Sequence, residues 1–251
     1  MFWLGLILVA VMGLALGLLG GGGSILAVPI LEYVFGMEAH AAIAGSLVLV
    51  GSTALLSSLL HHRTTPVDWR GALLFAAIGA PLSLAGGWFS RRVPGDVLML
   101  LFGLLMLVVG AAMLRGRREP PADAKPYPLA LALSGAAVGF LTGFLGIGGG
   151  FLIVPALVLF LYVPMKRAVG TSLLVIALNA GVALLMHRHE LHLEAMSLGP
   201  LSAAALAGTF AGVEATKWID GERLRKLFAV FVILVGLWMA GRHALALTST
   251  S

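Results

Sequence analysis

Gly17-Leu18-Leu19-Gly20-Gly21-Gly22-Gly23-Ser24-Ile25-Leu26-Ala27-Val28-Pro29 lies in an apolar stretch that carries no charge from residue 2 to residue 31. As one straight helix, residues 2–35 would run about 50 Å at about 1.5 Å per residue. The hydrocarbon core of a bilayer is only about 30 Å thick, so the chain has to bend or turn. Four consecutive glycines mark the place, because glycine carries the largest helix penalty of any residue but proline. Two arrangements follow. Either 2–35 is one bent crossing, or the chain turns back at the glycines as a re-entrant hairpin or two short crossings.

The same pattern returns 126 residues later as Gly143-Phe144-Leu145-Gly146-Ile147-Gly148-Gly149-Gly150-Phe151-Leu152-Ile153-Val154-Pro155. The register then holds without a gap. Ser46 falls on Ser172, His61 on His187, Asp68 on Glu194, Gly86 on Gly212, and Leu101-Phe102 on Leu227-Phe228. Over residues 17–47, 12 of 31 positions are identical. An apolar composition explains matched leucines, but not matched glycines, proline, serine and histidine in one register. The chain therefore reads as two copies of one half, 1–114 and 128–251, joined by a polar, Pro-rich linker over 115–127. Each half is expected to hold a glycine-broken helix pair followed by three helices. In the first half these lie at about 41–60, 70–90 and 97–114. In the second, the pair is expected at 129–145 and 151–162, and the helices at about 168–186, 196–216 and 226–244. The fold class is all-α.

Composition sets the solvent. Of the 251 residues, 60% are hydrophobic and only 11% charged, where a soluble domain has about 25% charged. The charges are segregated, leaving long windows such as 41–60, 71–90, 97–114 and 128–165 with none. The chain is read as a polytopic membrane protein. With no cysteine, disulfides and thiolate metal sites are excluded. The N-terminal segment lacks a basic n-region and a small-x-small cleavage site, so it reads as a retained membrane segment. The formal charge of +5 sits in short loops, where topology and anionic headgroups account for it without nucleic acid.

Lysine and arginine distinguish the two arrangements. One bent crossing per half divides the 16 basic residues evenly between the two sides. A turn-back at each glycine run puts Arg91, Arg92, Arg188 and Arg242 on one side and the other twelve opposite. Only the second gives the asymmetry of a real topology. The halves are then inverted repeats, with both termini outside the cytoplasm.

Interrupted helices in inverted repeats supply polar sites near the bilayer midplane. Helices starting near Ser24 and Gly150 would aim their N-termini inward, and unpaired N–H groups there favour anions. The candidate substrate residues are Gly20, Gly21, Gly22, Gly23, Ser24 and Pro29, with Gly146, Gly148, Gly149, Gly150 and Pro155. Ser46 and Thr53 lie seven apart on one helical face, and Ser172 and Asn179 occupy the matching positions, with Thr171 adjacent. Their hydroxyls and amide suit an oxyanion. The plainer readings are helix-packing glycines and interhelical hydrogen bonds. His61 and its repeat mate His187 are candidates for proton coupling, as is Glu214 near a span end, although Lys217 is close enough to neutralise it. The His187, His189, His192, Glu190 and Glu194 cluster reads as interfacial polar residues rather than a metal site. No Gly-Lys-Ser/Thr follows either glycine run, so a nucleotide P-loop is excluded, and no nucleophile–base constellation marks an enzyme. No cofactor is expected.

The paired Gly-x-Gly-Gly-Gly/Ser-x-x-x-x-Pro motifs at Gly20–Pro29 and Gly146–Pro155 resemble those of the sulfite exporter TauE/SafE family, also called toluene sulfonate uptake permeases. The resemblance covers nearly the whole chain. It implies secondary transport of small sulfur-containing or organic anions, such as sulfite and sulfonates, across the bacterial inner membrane. The first motif departs from the second, with Ser24 where the second has Gly150, so the half-sites need not be equivalent. The expected partners are a small anion, a coupled proton and the bilayer. An anion channel on the same scaffold and a membrane scaffold protein are the alternatives.

Overall fold

The computed structural model of the chain describes residues 2–115, 128–145, 150–186 and 195–249. These residues form ten helices: α1 (Phe2–Leu19), α2 (Gly21–Val34), α3 (Ala39–His62), α4 (Trp69–Ser90), α5 (Gly95–Arg115), α6 (Pro128–Leu145), α7 (Gly150–Leu159), α8 (Met165–Met186), α9 (Ala195–Trp218) and α10 (Gly221–Ser249). Five of them contain stretches long and apolar enough to cross a membrane, in α3, α4, α5, α8 and α10; α1, α2, α6 and α7 are shorter apolar helices.

The chain does turn back at the first glycine run. Gly20 takes φ +76°, a conformation that glycine adopts freely and residues with a Cβ rarely do. Beyond it, a Cβ on Gly23 would sit 2.5 Å from the Leu16 N and 2.6 Å from the Met12 O, and Gly5 faces the Phe35 ring. α1 and α2 are therefore an antiparallel hairpin. α2 is not the regular helix expected after Ser24. It is 3-10 over Gly21–Leu26, α over Ala27–Pro29 and π over Ile30–Val34. Pro29 has no N–H to offer the preceding turn, and the π segment follows it directly. α7, by contrast, is regular with Pro155 inside it.

α2 and its repeat counterpart α7 end alike. Gly36 (φ +69°) and Tyr162 (φ +54°) are left-handed and 126 residues apart. Behind each, the N–H of Met37 donates to the Leu31 carbonyl at 3.1 Å and that of Val163 to the Leu157 carbonyl at 2.9 Å. This is the helix-stop pattern in which a left-handed residue satisfies the last carbonyls.

The main helix contacts are between halves: α1 with α9, α6 with α4, α3 with α8, and α5 with α10. Glycines fix the directions. Gly208 and Gly212 of α9 abut the Ala10 and Leu14 carbonyls of α1, while Gly139 and Gly143 of α6 abut those of Gly79 and Ser83 of α4. Both pairs run parallel. In α3 and α8, Gly51 faces Ala180 while Ser58 Oγ donates to the Gly170 carbonyl at 3.1 Å. In α5 and α10, Gly103 faces Ala240 while Gly110 faces Ile233 and Ala229. These two pairs run antiparallel.

The interior is apolar, but apolar side chains also cover the outside. Large apolar side chains such as Trp3, Ile7, Leu84, Val108, Leu234 and Trp238 are exposed, whereas Ser46, Thr53, Ser57, Ser58, Ser172 and Thr209 are buried. Small residues and hydroxyls at helix contacts with apolar residues outside are the pattern lipid requires.

Candidate functional site

The two glycine motifs meet. A Cβ on Gly21 would overlap the Gly150 carbonyl and lie 2.6 Å from the Phe151 N, so the two backbones are in direct contact. A Cβ on Gly20 would lie 2.8 Å from Ser172 Oγ and 3.0 Å from Val154 Cγ2, and one on Gly150 would lie 3.0 Å from both Ser24 Oγ and Ile176 Cδ1. Ser24 and Gly150 are repeat equivalents, and here they touch. Ile176 is near the middle of α8, so the meeting point is at mid-helix depth. Gly20, Gly21, Ser24, Gly150 and Ser172 are thus brought together, while Gly22 and Gly23 pack against α10 and α1 and Pro155 is buried in α7.

The hydroxyls are held by their own helices. Ser24 Oγ donates to the Gly21 carbonyl at 2.7 Å, Ser172 Oγ to Val169 at 2.8 Å, Ser46 Oγ to Ile43 at 2.7 Å and Thr53 Oγ1 to Leu49 at 2.5 Å. None is committed to a neighbouring helix, and each oxygen keeps lone pairs free. Thr171 faces elsewhere, its Oγ1 accepting from the Asp68 N–H at 3.3 Å. Asn179 and Pro29 are exposed, so neither joins the glycine contact. Gly146, Gly148, Gly149 and His187, and the histidine–glutamate cluster after it, lie outside the described residues.

Two aromatic residues emerge that spacing alone did not single out. A Cβ on Gly22 would lie 3.1 Å from the Phe231 ring and 3.8 Å from that of Phe228, both on α10. In the matching place, Phe102 of α5 packs edge-on against Phe151 at 5.0 Å between centroids. Phe102 and Phe228 are both fully buried. Their signal was the Leu-Phe pair repeated at 101–102 and 227–228.

Glu214 pairs with Lys217 at 2.6 Å, both about half exposed. The carboxylate is thus neutralised within its own helix. His61 is buried at the end of α3, its Nδ1 2.9 Å from the Ser57 carbonyl.

Residues 5–239 match the family model described as sulfite exporter TauE/SafE. The chain belongs to the sulfite exporter TauE/SafE family. It is 38% identical over 238 residues to a probable membrane transporter protein of Xylella fastidiosa, covering 92% of this chain and 91% of the relative. It is 27% identical over 260 residues to the probable membrane transporter protein YunE of Bacillus subtilis, covering 92% and 95%. A probable membrane transporter protein of Haemophilus influenzae is 25% identical over 250 residues, covering 92% and 94%. No solved structure shows a significant match. As a member of the TauE/SafE family the chain is a multi-pass membrane transporter and not an enzyme.

Proposed function

We propose that this TauE/SafE protein is a secondary transporter of a small anion, sulfur-containing by family resemblance, such as sulfite or a sulfonate. The observation that carries the reading is the contact of Gly21 with the Gly150 carbonyl at mid-helix depth. Glycine backbone without side chains is a surface on which an oxyanion would meet N–H donors without a fixed buried charge, and Ser24 and Ser172 would add O–H donors by turning their hydroxyls away from the Gly21 and Val169 carbonyls. With the two backbones in contact, an anion between them requires the halves to part, which is the motion alternating access needs.

The halves act as inverted repeats, 1–114 and 128–251 about the linker 115–127. The opposite run of α3 against α8, and of α5 against α10, supports this, because repeat-equivalent helices would be parallel if the halves shared one orientation. The lysine and arginine bias then places both termini in the periplasm of a bacterial inner membrane. A reporter fused after Ser251 should be active only outside the cytoplasm.

Purified protein in proteoliposomes should accumulate radiolabelled sulfite or a sulfonate against its gradient when a proton gradient is imposed. Ser24→Ala and Ser172→Ala should cut that uptake by about tenfold, the worth of one hydrogen bond to a charged group. They should leave the unfolding temperature nearly unchanged, since each hydroxyl bonds only its own helix. Uptake that only dissipates a gradient would instead mark an anion channel. Full uptake in both serine variants would remove the glycine contact as the site.

A further inference from the structure

Away from the glycine contact, a pocket of about 260 Å³ opens where α3, α8 and α9 end or begin. His61, Thr64, Thr65, Lys166, Thr216 and Lys217 line it. It sits on the side that carries most of the basic residues. His61 is 3% exposed, and its Nε2 has no hydrogen-bond partner among the described residues. The Oγ of Ser57, one turn before it, is likewise buried and unpartnered. Buried polar atoms without partners are rare and point to an unseen ligand or water.

The geometry fixes what Nε2 offers. Nδ1 is 2.9 Å from the Ser57 carbonyl, and a carbonyl only accepts, so Nδ1 carries the hydrogen. In the neutral ring Nε2 is then a lone pair. An anion can meet a lone pair only if a proton lies between them. Around it, Lys166 carries no ion pair among the described residues, and Lys217 is shared with Glu214. His62 Nδ1 accepts from the Val67 N–H, and Asp68 Oδ1 from the Gly71 N–H.

We infer that this pocket is a second anion site, an antechamber to the glycine contact that takes a small oxyanion together with one proton held between the anion and His61 Nε2. Lys166 and the threonine hydroxyls supply the remaining donors. The proton comes from bulk water, so each binding event takes up one anion and one proton. The inference rests on the transport reading only for the word antechamber; the site itself stands on the pocket and the unpartnered histidine nitrogen.

Isothermal titration of the full chain in lipid nanodiscs tests it, with sodium sulfite as the probe near pH 8, in buffers of different ionisation heat. Sodium sulfate, which does not take a proton in this range, is the comparison. Sulfite should bind with uptake of about one proton and tighten by up to about tenfold per pH unit on acidification, while sulfate binds more weakly. His61→Gln should lose the proton uptake. Lys166→Gln and Thr64→Val, at half-exposed and exposed positions where folding is not at stake, should weaken binding by roughly tenfold and a few-fold and keep it. Lys226→Gln, on an exposed ion pair with Glu222, should match wild type. Proton uptake unchanged in His61→Gln, wild-type affinity in Lys166→Gln, or no sulfite binding at all would overturn the proposal. Proton-linked binding without vesicle uptake would support this site and remove the transport reading. Uptake with binding unchanged in His61→Gln would do the reverse.

Discussion

At the residue scale, glycine is required at some positions and not at others, and each case makes a different prediction. At Gly36 the requirement is dihedral alone: φ is +69° and a Cβ would meet nothing within 4 Å. Gly36→Ala should cost about 1–2 kcal/mol, read as a lower unfolding midpoint in detergent, with transport otherwise normal. At Gly181, inside α8, a Cβ also meets nothing within 4 Å and φ is helical. Gly181→Ala should therefore raise the midpoint by roughly 0.5–1 kcal/mol, and a loss there would mean the helix is not formed as described. At Gly21 the requirement is close approach, since a methyl group would overlap the Gly150 carbonyl. Gly21→Ala should push the two glycine motifs apart and abolish transport even where folded protein is recovered by size exclusion.

At the scale of elements, glycine faces let α1 lie against α9 and α6 against α4. Gly13 and Gly17 of α1 are the repeat equivalents of Gly139 and Gly143 of α6, and all four abut backbone carbonyls of the facing helix. In lipid there is little hydrophobic drive between helices, so close backbone packing of this kind supplies much of the association. Gly143→Leu should cost about 1–3 kcal/mol or more through overpacking, and Gly17→Leu should cost a similar amount. Gly95→Leu, where a Cβ would meet nothing within 4 Å, is the comparison and should unfold at the wild-type temperature. These packing glycines were legible in the sequence only as glycines. Within the first glycine run, Gly20 makes the turn with its positive φ, while Cβ atoms on Gly21 and Gly23 would meet the Gly150 carbonyl and the α1 backbone, so close helix contact applies to them as well.

For the whole molecule, the chain's lack of cysteine makes cross-linking a clean measure of helix direction. Gly51→Cys with Ala180→Cys should form a disulfide readily, since the Cβ positions are 3.1 Å apart, close to disulfide range. Ser58→Cys with Leu184→Cys, which are repeat equivalents, should not, because α3 and α8 run in opposite directions. The reverse result would undo the antiparallel pairing and the inverted arrangement with it. Exposed aromatics at helix ends, Trp218 on α9 and Trp88 on α4 with the Arg92 guanidinium 3.8 Å over its ring, sit where interfacial anchors are expected.

Features that repeat or accumulate along the chain can be read without neighbours. Membrane residence follows from summed hydropathy, the two halves from a 126-residue register, the break near Gly20 from a length no bilayer accommodates, and its reading as a reversal from the lysine and arginine bias. The tertiary structure decided what depends on neighbours. Ser172 and Asn179 share a helical face, yet Ser172 is buried against Gly20 and Asn179 is exposed, because spacing gives an angle about an axis and not the element that occupies it. The 3-10 and π turns of α2 were equally out of reach, since α7 with its matching Pro155 is regular. The pocket under His61 draws its residues from three helices far apart in sequence, and only their packing puts Lys166 and Lys217 beside an imidazole whose second nitrogen has no partner among the described residues.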